Sequence, residues 1–129
     1  MADRELLIQS PEVEMLHLVY LLRPSAHART DMNAFWSWVR DRQAWFYAGL
    51  DMARDPRWYV RTIGTDVHSL EHTISFADEA AWGVYRLEVS RRSRDIAWER
   101  RRVEQELWWE ILEARILNDA PIPRVDTII

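Results

Sequence analysis

The chain has 129 residues and a net charge of −4, with 48% hydrophobic and 29% charged residues, a composition typical of one globular domain. It contains no cysteine and no lysine, since all 17 basic residues are arginine. Disulfides, thiolate chemistry, Cys-type zinc sites, and Schiff-base or pyridoxal phosphate chemistry at a lysine are therefore excluded.

The acidic balance argues against nucleic-acid binding, and no apolar run approaches the ~20 residues that span a bilayer. The first residues lack the pattern of a signal peptide, so we expect a cytoplasmic location. We predict a single domain over residues 1–129, with a core at about 13–120. A charged arm over residues 1–12 precedes it, and a short tail starting at Pro121 follows it.

The first half of the chain predicts a strand followed by a helix. Residues 15–22 form a short apolar run interrupted only by His17, which is typical of a strand covered on both faces. Thr30 or Asp31 can cap a helix that extends to about Ala48.

The central stretch predicts two strands and a second helix. Asp55 and Pro56 are assigned to the connection, and the β-branched and aromatic residues 58–63 to a strand. Residues 67–76 alternate, which predicts a strand with two chemically different faces. One face would carry His68, Leu70, His72, Ile74 and Phe76, and the other Ser69, Glu71, Thr73 and Ser75. Asp78 can cap the helix, whose apolar stripe is formed by Ala81, Trp82, Tyr85 and Val89.

The last part of the chain predicts a short helical piece over residues 96–103. Residues 106–117 fit either a continued helix or a strand. We favour a closing strand from about Trp109, because one helix of ~40 residues is improbable in a domain of this size.

The order strand, helix, strand, strand, helix, strand predicts an α+β fold of the ferredoxin-like split βαβ type (βαββαβ), with both helices on one face of the sheet. The first strand is apolar towards both faces, so the second face also needs a cover. The simplest cover is another copy of the same sheet, which predicts a homodimer with an enclosed space between the sheets.

Over roughly residues 14–120 the chain resembles the dimeric α+β barrel superfamily, which includes NIPSNAP-like proteins, antibiotic-biosynthesis-type monooxygenases (ABM-like), small polyketide cyclases and haem-degrading enzymes. The resemblance rests on the element order and on residues 16–20 (Leu-His-Leu-Val-Tyr). It also rests on residues 71–82, from Glu71 through Trp82 at the step from strand to helix, and on residues 95–98 (Asp-Ile-Ala-Trp).

This resemblance implies a pocket between the helix-free face of the sheet and a partner subunit or loops. It also implies an aromatic or polyketide-like substrate handled without metal or organic cofactor. Haem-binding members use a helix histidine as axial ligand, whereas the two main predicted helices here contain none, with His27 placed in a loop.

Three residues are our candidates for proton transfer: His17, Glu71 and His72. His17 is either a paired core histidine or a general acid or base. Glu71 is either a solvent-facing residue or a pocket carboxylate whose pKa burial would raise. Strand parity places Glu71 and His72 on opposite faces. Because His68 and His72 would lie ~13 Å apart on one strand, they cannot chelate one metal, and we predict no metal site.

The candidate substrate-binding residues are Tyr20, Trp36, Trp58, Arg61, His68 and Arg86. The aromatic ones can wall a pocket for an aromatic substrate, although most of the eight tryptophans are expected to serve packing. Arg61 and Arg86 can bind an anionic oxygen or pair with glutamates.

The sequence thus predicts a small cytoplasmic biosynthesis enzyme that binds a hydrophobic, aromatic or polyketide-like metabolite. It would catalyse cyclisation, isomerisation, dehydration or cofactor-independent oxygenation. The alternatives are a non-catalytic ligand-binding or assembly dimer and a haem-binding protein.

Overall fold

The computed structural model describes residues 14–123 of the chain, so the predicted arm over residues 1–12 and the tail beyond residue 123 lie outside it. The elements in chain order are β1 (Leu16–Pro24), α1 (Ala26–Arg29), α2 (Met32–Phe46), β2 (Arg54–Val60), β3 (Leu70–Phe76), α3 (Glu79–Arg92), α4 (Ile96–Val103), α5 (Gln105–Trp108) and β4 (Trp109–Asn118). No helix within these residues has the length and apolar character needed to cross a membrane.

The four strands form one antiparallel sheet in the order β2-β3-β1-β4, and the predicted α+β class is confirmed. β1 lies between β3 and β4 and pairs antiparallel with both, while β3 also pairs antiparallel with β2.

The core lies between one face of the sheet and the helices. Leu18 of β1 and Ile74 of β3 pack with Phe46 of α2 and Tyr85 of α3 in one cluster, and a second cluster joins Leu22 to residues of α1, α2 and β4. We call this side of the sheet the helix face.

The opposite side, which we call the open face, carries the alternate residues of β1 and β3. Its members on these two strands are His17, Val19, Leu21, Glu71, Thr73 and Ser75, and none of them belongs to either core cluster. Val19 and Leu21 are nevertheless only 9% and 7% exposed within the single chain. The apolar character of β1 therefore does not by itself require a second copy as a cover.

Strand β3 confirms the predicted alternation, because Leu70, His72, Ile74 and Phe76 are buried while the residues between them are half-buried. The prediction is wrong for residues 67–69, which precede β3. His68 lies there with a φ of 77°, a left-handed conformation that interrupts a strand. His68 and His72 therefore do not share a strand face.

Strand β2 starts earlier than predicted and ends at Val60, so the assignment of Asp55 and Pro56 to a connection is wrong. The pairing with β3 is irregular between Arg54 and Arg57, and Asp55 has a φ of 54°. An edge strand with a bulge tolerates a proline, because the missing N–H need not join the ladder.

Aspartate side chains fix the starts of three helices. Asp31, Asp78 and Asp95 each accept a hydrogen bond from the backbone N–H three residues later, at 3.1, 2.8 and 3.0 Å. Each oxygen satisfies a donor that the helix itself leaves unpaired. The predicted caps at Asp31 and Asp78 are confirmed, and α2 ends at Phe46, two residues before the predicted end.

The closing segment is a strand, as predicted, and β4 starts at Trp109. The short helix over residues 96–103 is also confirmed. His27 differs from its predicted loop position, since it lies in α1, whose first turn is capped by the hydroxyl of Ser25.

Candidate functional site

A cavity of about 510 Å³ lies between the helix face of the sheet and the helices. The sheet contributes Tyr20, Leu22, His72, Trp109 and Ile111 to its lining. The main lining residues of the helical layer and its connections are Arg42, Phe46, Tyr47, Tyr85, Arg86, Val89, Glu99, Arg102 and Gln105. Its volume falls within the ~300–1,000 Å³ of ordinary small-molecule sites.

His72 is held in this cavity wall by three contacts. Its Nδ1 lies 2.9 Å from the carbonyl oxygen of Arg57, its Nε2 lies 2.7 Å from the hydroxyl of Tyr47, and its ring stacks on Trp58 with centroids 3.7 Å apart. A carbonyl can only accept, so Nδ1 carries the proton, and Nε2 accepts the hydrogen bond that Tyr47 donates. Both the tautomer and the ring orientation are thereby fixed.

Burial determines the protonation state of His72. Loss of solvation lowers the pKa of His72 from 6.5 to about 4, the hydrogen bond to the carbonyl of Arg57 partly opposes this, and the charge of Arg42 lowers the pKa slightly further. The imidazole is therefore neutral at pH 7, with a lone pair on Nε2 directed at Tyr47.

Three tyrosines converge on the same space. Tyr20 is the cross-strand partner of His72, Tyr47 follows the end of α2, and Tyr85 lies on α3. Burial raises the pKa of each phenol above its usual value, most strongly for Tyr47 and Tyr85. All three hydroxyls therefore keep their protons at neutral pH and can donate hydrogen bonds.

Arg42 of α2 is a buried cation, only 7% exposed. Its Nη2 donates to Oε1 of Gln105 at 2.9 Å, and its guanidinium lies 4.3 Å from the ring centroid of Phe46 and 5.0 Å from that of Trp109. Burial lowers the pKa of Arg42, whereas the charge-stabilising neighbours are tyrosines rather than carboxylates. Such an arrangement is unusual, because buried charges are normally paired with an opposite charge.

Two buried donors in this wall also lack an acceptor. Within residues 14–123, neither Nε of Arg42 nor Nε1 of Trp109 has a hydrogen-bond partner. An unpaired buried donor costs about 1–3 kcal/mol, so two of them in residues that line one cavity call for an explanation.

The edge of the cavity is charged. The guanidinium of Arg86 lies 5.0 Å from the ring of Trp82, and Nε of Arg102 donates to Oε1 of Glu99 at 2.8 Å. The side chains of Arg86, Glu99 and Arg102 come from α3 and α4, so both helices contribute charged groups to the lining.

The structure brings together some of the predicted site residues. Tyr20, His72 and Arg86 line the cavity, and the ring of Trp58 stacks on the imidazole of His72. The resemblance placed the pocket on the helix-free side, whereas the cavity within the chain lies on the helix face.

The other predicted residues lie elsewhere. His17 and Glu71 are on the open face, so the sheet separates them from His72, and the predicted catalytic trio cannot act in one site. Nε of Arg61 donates to Oε2 of Glu71 at 2.8 Å, which makes this pair an ion pair. His68 precedes β3, and Trp36 is 37% exposed on α2.

Sequence reasoning missed Arg42, Tyr47 and Trp109 as site residues. A signal for Arg42 exists, because the buried residues of α2 are Phe35, Val39, Arg42 and Phe46, one continuous helical stripe. A charged residue within an apolar stripe marks a buried cation, and such a cation needs a partner.

Within the described residues no group of three or more histidines and carboxylates is placed to hold a metal ion. For haem, His72 is the histidine that lines the cavity, and both of its ring nitrogens are already hydrogen-bonded. An iron atom would have to displace Tyr47 from Nε2.

The comparisons with known proteins leave the function to be inferred from this geometry. No protein-family model matches the chain, and no curated protein and no solved structure is significantly similar to it.

Proposed function

We propose that the chain is a small cytoplasmic enzyme that binds an aromatic or polyketide-like metabolite in the cavity on the helix face and catalyses proton transfer without a cofactor. The observation that carries this proposal is the buried Arg42, which among residues 14–123 has no paired carboxylate and whose Nε, like Nε1 of Trp109, has no hydrogen-bond partner there. Both groups donate hydrogen bonds, so a ligand that contacts them after a side-chain shift would present an acceptor, and the positive charge favours an anionic one.

The remaining lining suits a flat, apolar molecule. Leu22, Phe46, Val89 and Trp109 provide apolar and aromatic surface around the polar groups. Binding sites of this kind combine mostly apolar walls with a few convergent polar groups that orient the ligand. An aromatic ring can pack on these walls while its oxygen substituent lies against Arg42.

The Tyr47–His72 pair supplies the proton acceptor. Tyr47 donates its own proton to Nε2 of His72 at 2.7 Å, which leaves the phenolic oxygen able to accept a proton from the substrate. As that proton arrives, the original hydroxyl proton passes to Nε2. The resulting imidazolium remains hydrogen-bonded to the carbonyl of Arg57 and to Tyr47.

Arg42 would stabilise the product of this step. Removing a proton next to a carbonyl, or from a phenol, leaves negative charge on an oxygen, and a prearranged buried guanidinium stabilises such charge more than water does. Enolate formation of this kind is the common first step of cyclisation, isomerisation and dehydration, and enolates or phenolates are also the species that react with oxygen.

The test is catalysed deuterium exchange. We expect the protein to accelerate exchange of the α-protons of 2-tetralone, a bicyclic aromatic ketone, in D₂O, followed by proton NMR. Tyr47→Phe should reduce this rate by about 10²–10⁴-fold, the usual contribution of a positioned proton-transfer group.

The matched control is Tyr59→Phe, because Tyr59 is half-exposed on β2 and does not line the cavity. Binding of 2-tetralone without faster exchange would favour the non-catalytic ligand-binding function. Equal exchange by wild type and a folded Tyr47→Phe variant would remove Tyr47 from the mechanism.

The assembly is part of the same proposal. The order β2-β3-β1-β4 with antiparallel neighbours supports the ferredoxin-like split βαβ plan, and pairing of two sheets through their open faces would complete the proposed dimeric α+β barrel. Native mass spectrometry of the purified protein tests this: a dimer is expected, and a monomer at micromolar concentration would contradict the barrel.

A further inference from the structure

A second cluster of reactive side chains lies on the open face, on the other side of the sheet from the cavity. Nδ1 of His17 is 2.7 Å from Oγ of Ser75, and its Nε2 is 2.7 Å from Oδ1 of Asp119. The pairing of β1 with β3 places His17 directly opposite Ser75, and Asp119 follows the last residue of β4. Three strands therefore bring these groups together.

The hydrogen bonds determine which atom donates in each pair. Asp119 accepts at both oxygens, from His17 and from the backbone N–H of Met15 at 2.9 Å. The hydrogen bond from His17, and then that from Met15, hold the pKa of Asp119 below its usual value, so it is a carboxylate at neutral pH. A carboxylate can only accept, so Nε2 of His17 carries a proton, and in the neutral imidazole Nδ1 then has a lone pair that accepts from the hydroxyl of Ser75.

This arrangement matches that of an activated serine, in which the nucleophile is hydrogen-bonded to a base and a third group orients the base. The two imidazole nitrogens are exchanged relative to the serine-protease arrangement, with Nδ1 rather than Nε2 facing the serine. The roles are unchanged by this exchange.

We propose that Ser75, His17 and Asp119 form a hydrolytic site for small carboxylic esters, with Ser75 as nucleophile. Oγ of Ser75 attacks the ester carbonyl carbon while its proton passes to Nδ1 of His17. The tetrahedral intermediate then expels the alkoxide, which takes that proton and leaves as the alcohol. Water, deprotonated by the same nitrogen, hydrolyses the acyl-serine to release the acid and restore Ser75.

The surroundings meet two further needs of this reaction. Arg54 is the cross-strand partner of Ser75, so the register places a cationic residue on the same side of the sheet, where it can stabilise a developing oxyanion. In the single chain the side chains of His17 and Asp119 are 31% and 42% exposed, so ester and water reach them from the open face, or in a barrel from the space that two sheets would enclose.

The alternative is a purely structural role, in which these hydrogen bonds stabilise the ends of β1, β3 and β4. Covalent labelling distinguishes the catalytic from the structural role, because a structural hydrogen bond alone does not make a serine hydroxyl nucleophilic. The probe is diisopropyl fluorophosphate, which phosphorylates activated serines with loss of fluoride.

We expect intact-mass spectrometry of the full chain to show one phosphoryl adduct, and peptide mapping to locate it on Ser75. Ser75→Ala should remove the adduct, while His17→Gln and Asp119→Asn should slow its formation by about 10²–10⁴-fold. Ser37→Ala is the control, because Ser37 is exposed on α2, and it should label like wild type.

Absence of an adduct on Ser75 in wild type would overturn the proposal. So would unchanged labelling in folded His17→Gln and Asp119→Asn variants, even if their melting temperatures fall. If those variants do not fold, the preference of the reagent for Ser75 over Ser37 in wild type decides the question. The cavity lies across the sheet, so labelling and deuterium exchange can fail independently of each other.

Discussion

Acidification from pH 7 to pH 4 is expected to lower the free energy of unfolding by about 3 kcal/mol through His72 alone. The pKa of His72 is lowered from 6.5 to about 4 in the folded chain, chiefly by burial. The unfolded chain therefore binds a proton at His72 before the folded chain does, and one pKa unit corresponds to about 1.4 kcal/mol. The stabilisation is fully present above pH 6.5 and is lost as the pH falls towards 4.

The groups around His72 do not change charge in this pH window. Burial raises the pKa of Tyr20, Tyr47 and Tyr85, so the phenols stay neutral, and the guanidinium of Arg42 stays charged. Protonation of His72 also brings a second positive charge near Arg42, which adds to the cost. Elsewhere in the chain the pKa values of Glu88, Glu99 and Asp119 are also lowered, so these carboxylates contribute to the slope near pH 4. The difference in slope between wild type and a His72 variant therefore isolates the imidazole.

Urea denaturation at half-unit pH steps measures this effect. His72→Gln is expected to flatten the slope of unfolding free energy against pH between 6.5 and 4. His68→Gln is the matched control, because His68 is exposed and should leave the slope unchanged. A wild-type slope that survives in His72→Gln would show that His72 is not buried in its neutral form.

The second large effect is expected at Arg42, where stability and binding should change in opposite directions. Arg42→Met removes a buried charge that has no carboxylate partner in the described part of the chain, and it keeps much of the side-chain volume against Phe46 and Trp109. We expect the variant to be as stable as wild type or up to about 2 kcal/mol more stable. A buried charge that lowers the stability of the fold is typical of a functional site.

Ligand binding should fall in the same variant. We expect Arg42→Met to lose about 100-fold or more in affinity for 2-naphthoate, an aromatic carboxylate, measured by isothermal titration calorimetry. Affinity for the neutral 2-naphthamide should change little, because that ligand brings no charge to Arg42. Arg42→Lys, which keeps the charge, should retain part of the affinity for the carboxylate.

Two results would contradict this interpretation. A strongly destabilised Arg42→Met variant would mean that the hydrogen bond to Gln105 makes Arg42 a structural residue. Equal loss of both ligands would mean that the side chain shapes the cavity rather than binding an anion.

Several features of the fold were predictable because they depend on neighbouring residues in the chain. The alternation over residues 70–76 follows from the two-residue period of a strand, and it correctly separates Glu71 from His72. Asp31 and Asp78 mark helix starts because a cap needs only the next three residues. The buried position of Arg42 was missed, although a break in the apolar stripe of α2 is a signal for it.

The site was not predictable, because its contacts join residues that are far apart in sequence. Tyr47 meets His72 across 25 residues, and His17 meets Asp119 across 102. A strand pattern shows that two faces differ, but it does not show which face the helices cover. The resemblance therefore suggested a pocket on the open face, while the helices enclose one on the other.

The sequence by itself determined the α+β class, the helix starts, the alternation of β3, and the limits that follow from the absence of cysteine and lysine. These properties depend on composition and on local hydrogen bonding and periodicity. Tertiary structure alone decided that Arg42, Tyr47 and His72 share a cavity and that His17, Ser75 and Asp119 share the opposite face. Strand register and helix packing bring those side chains together, and both are set by the burial of the whole core rather than by any one segment.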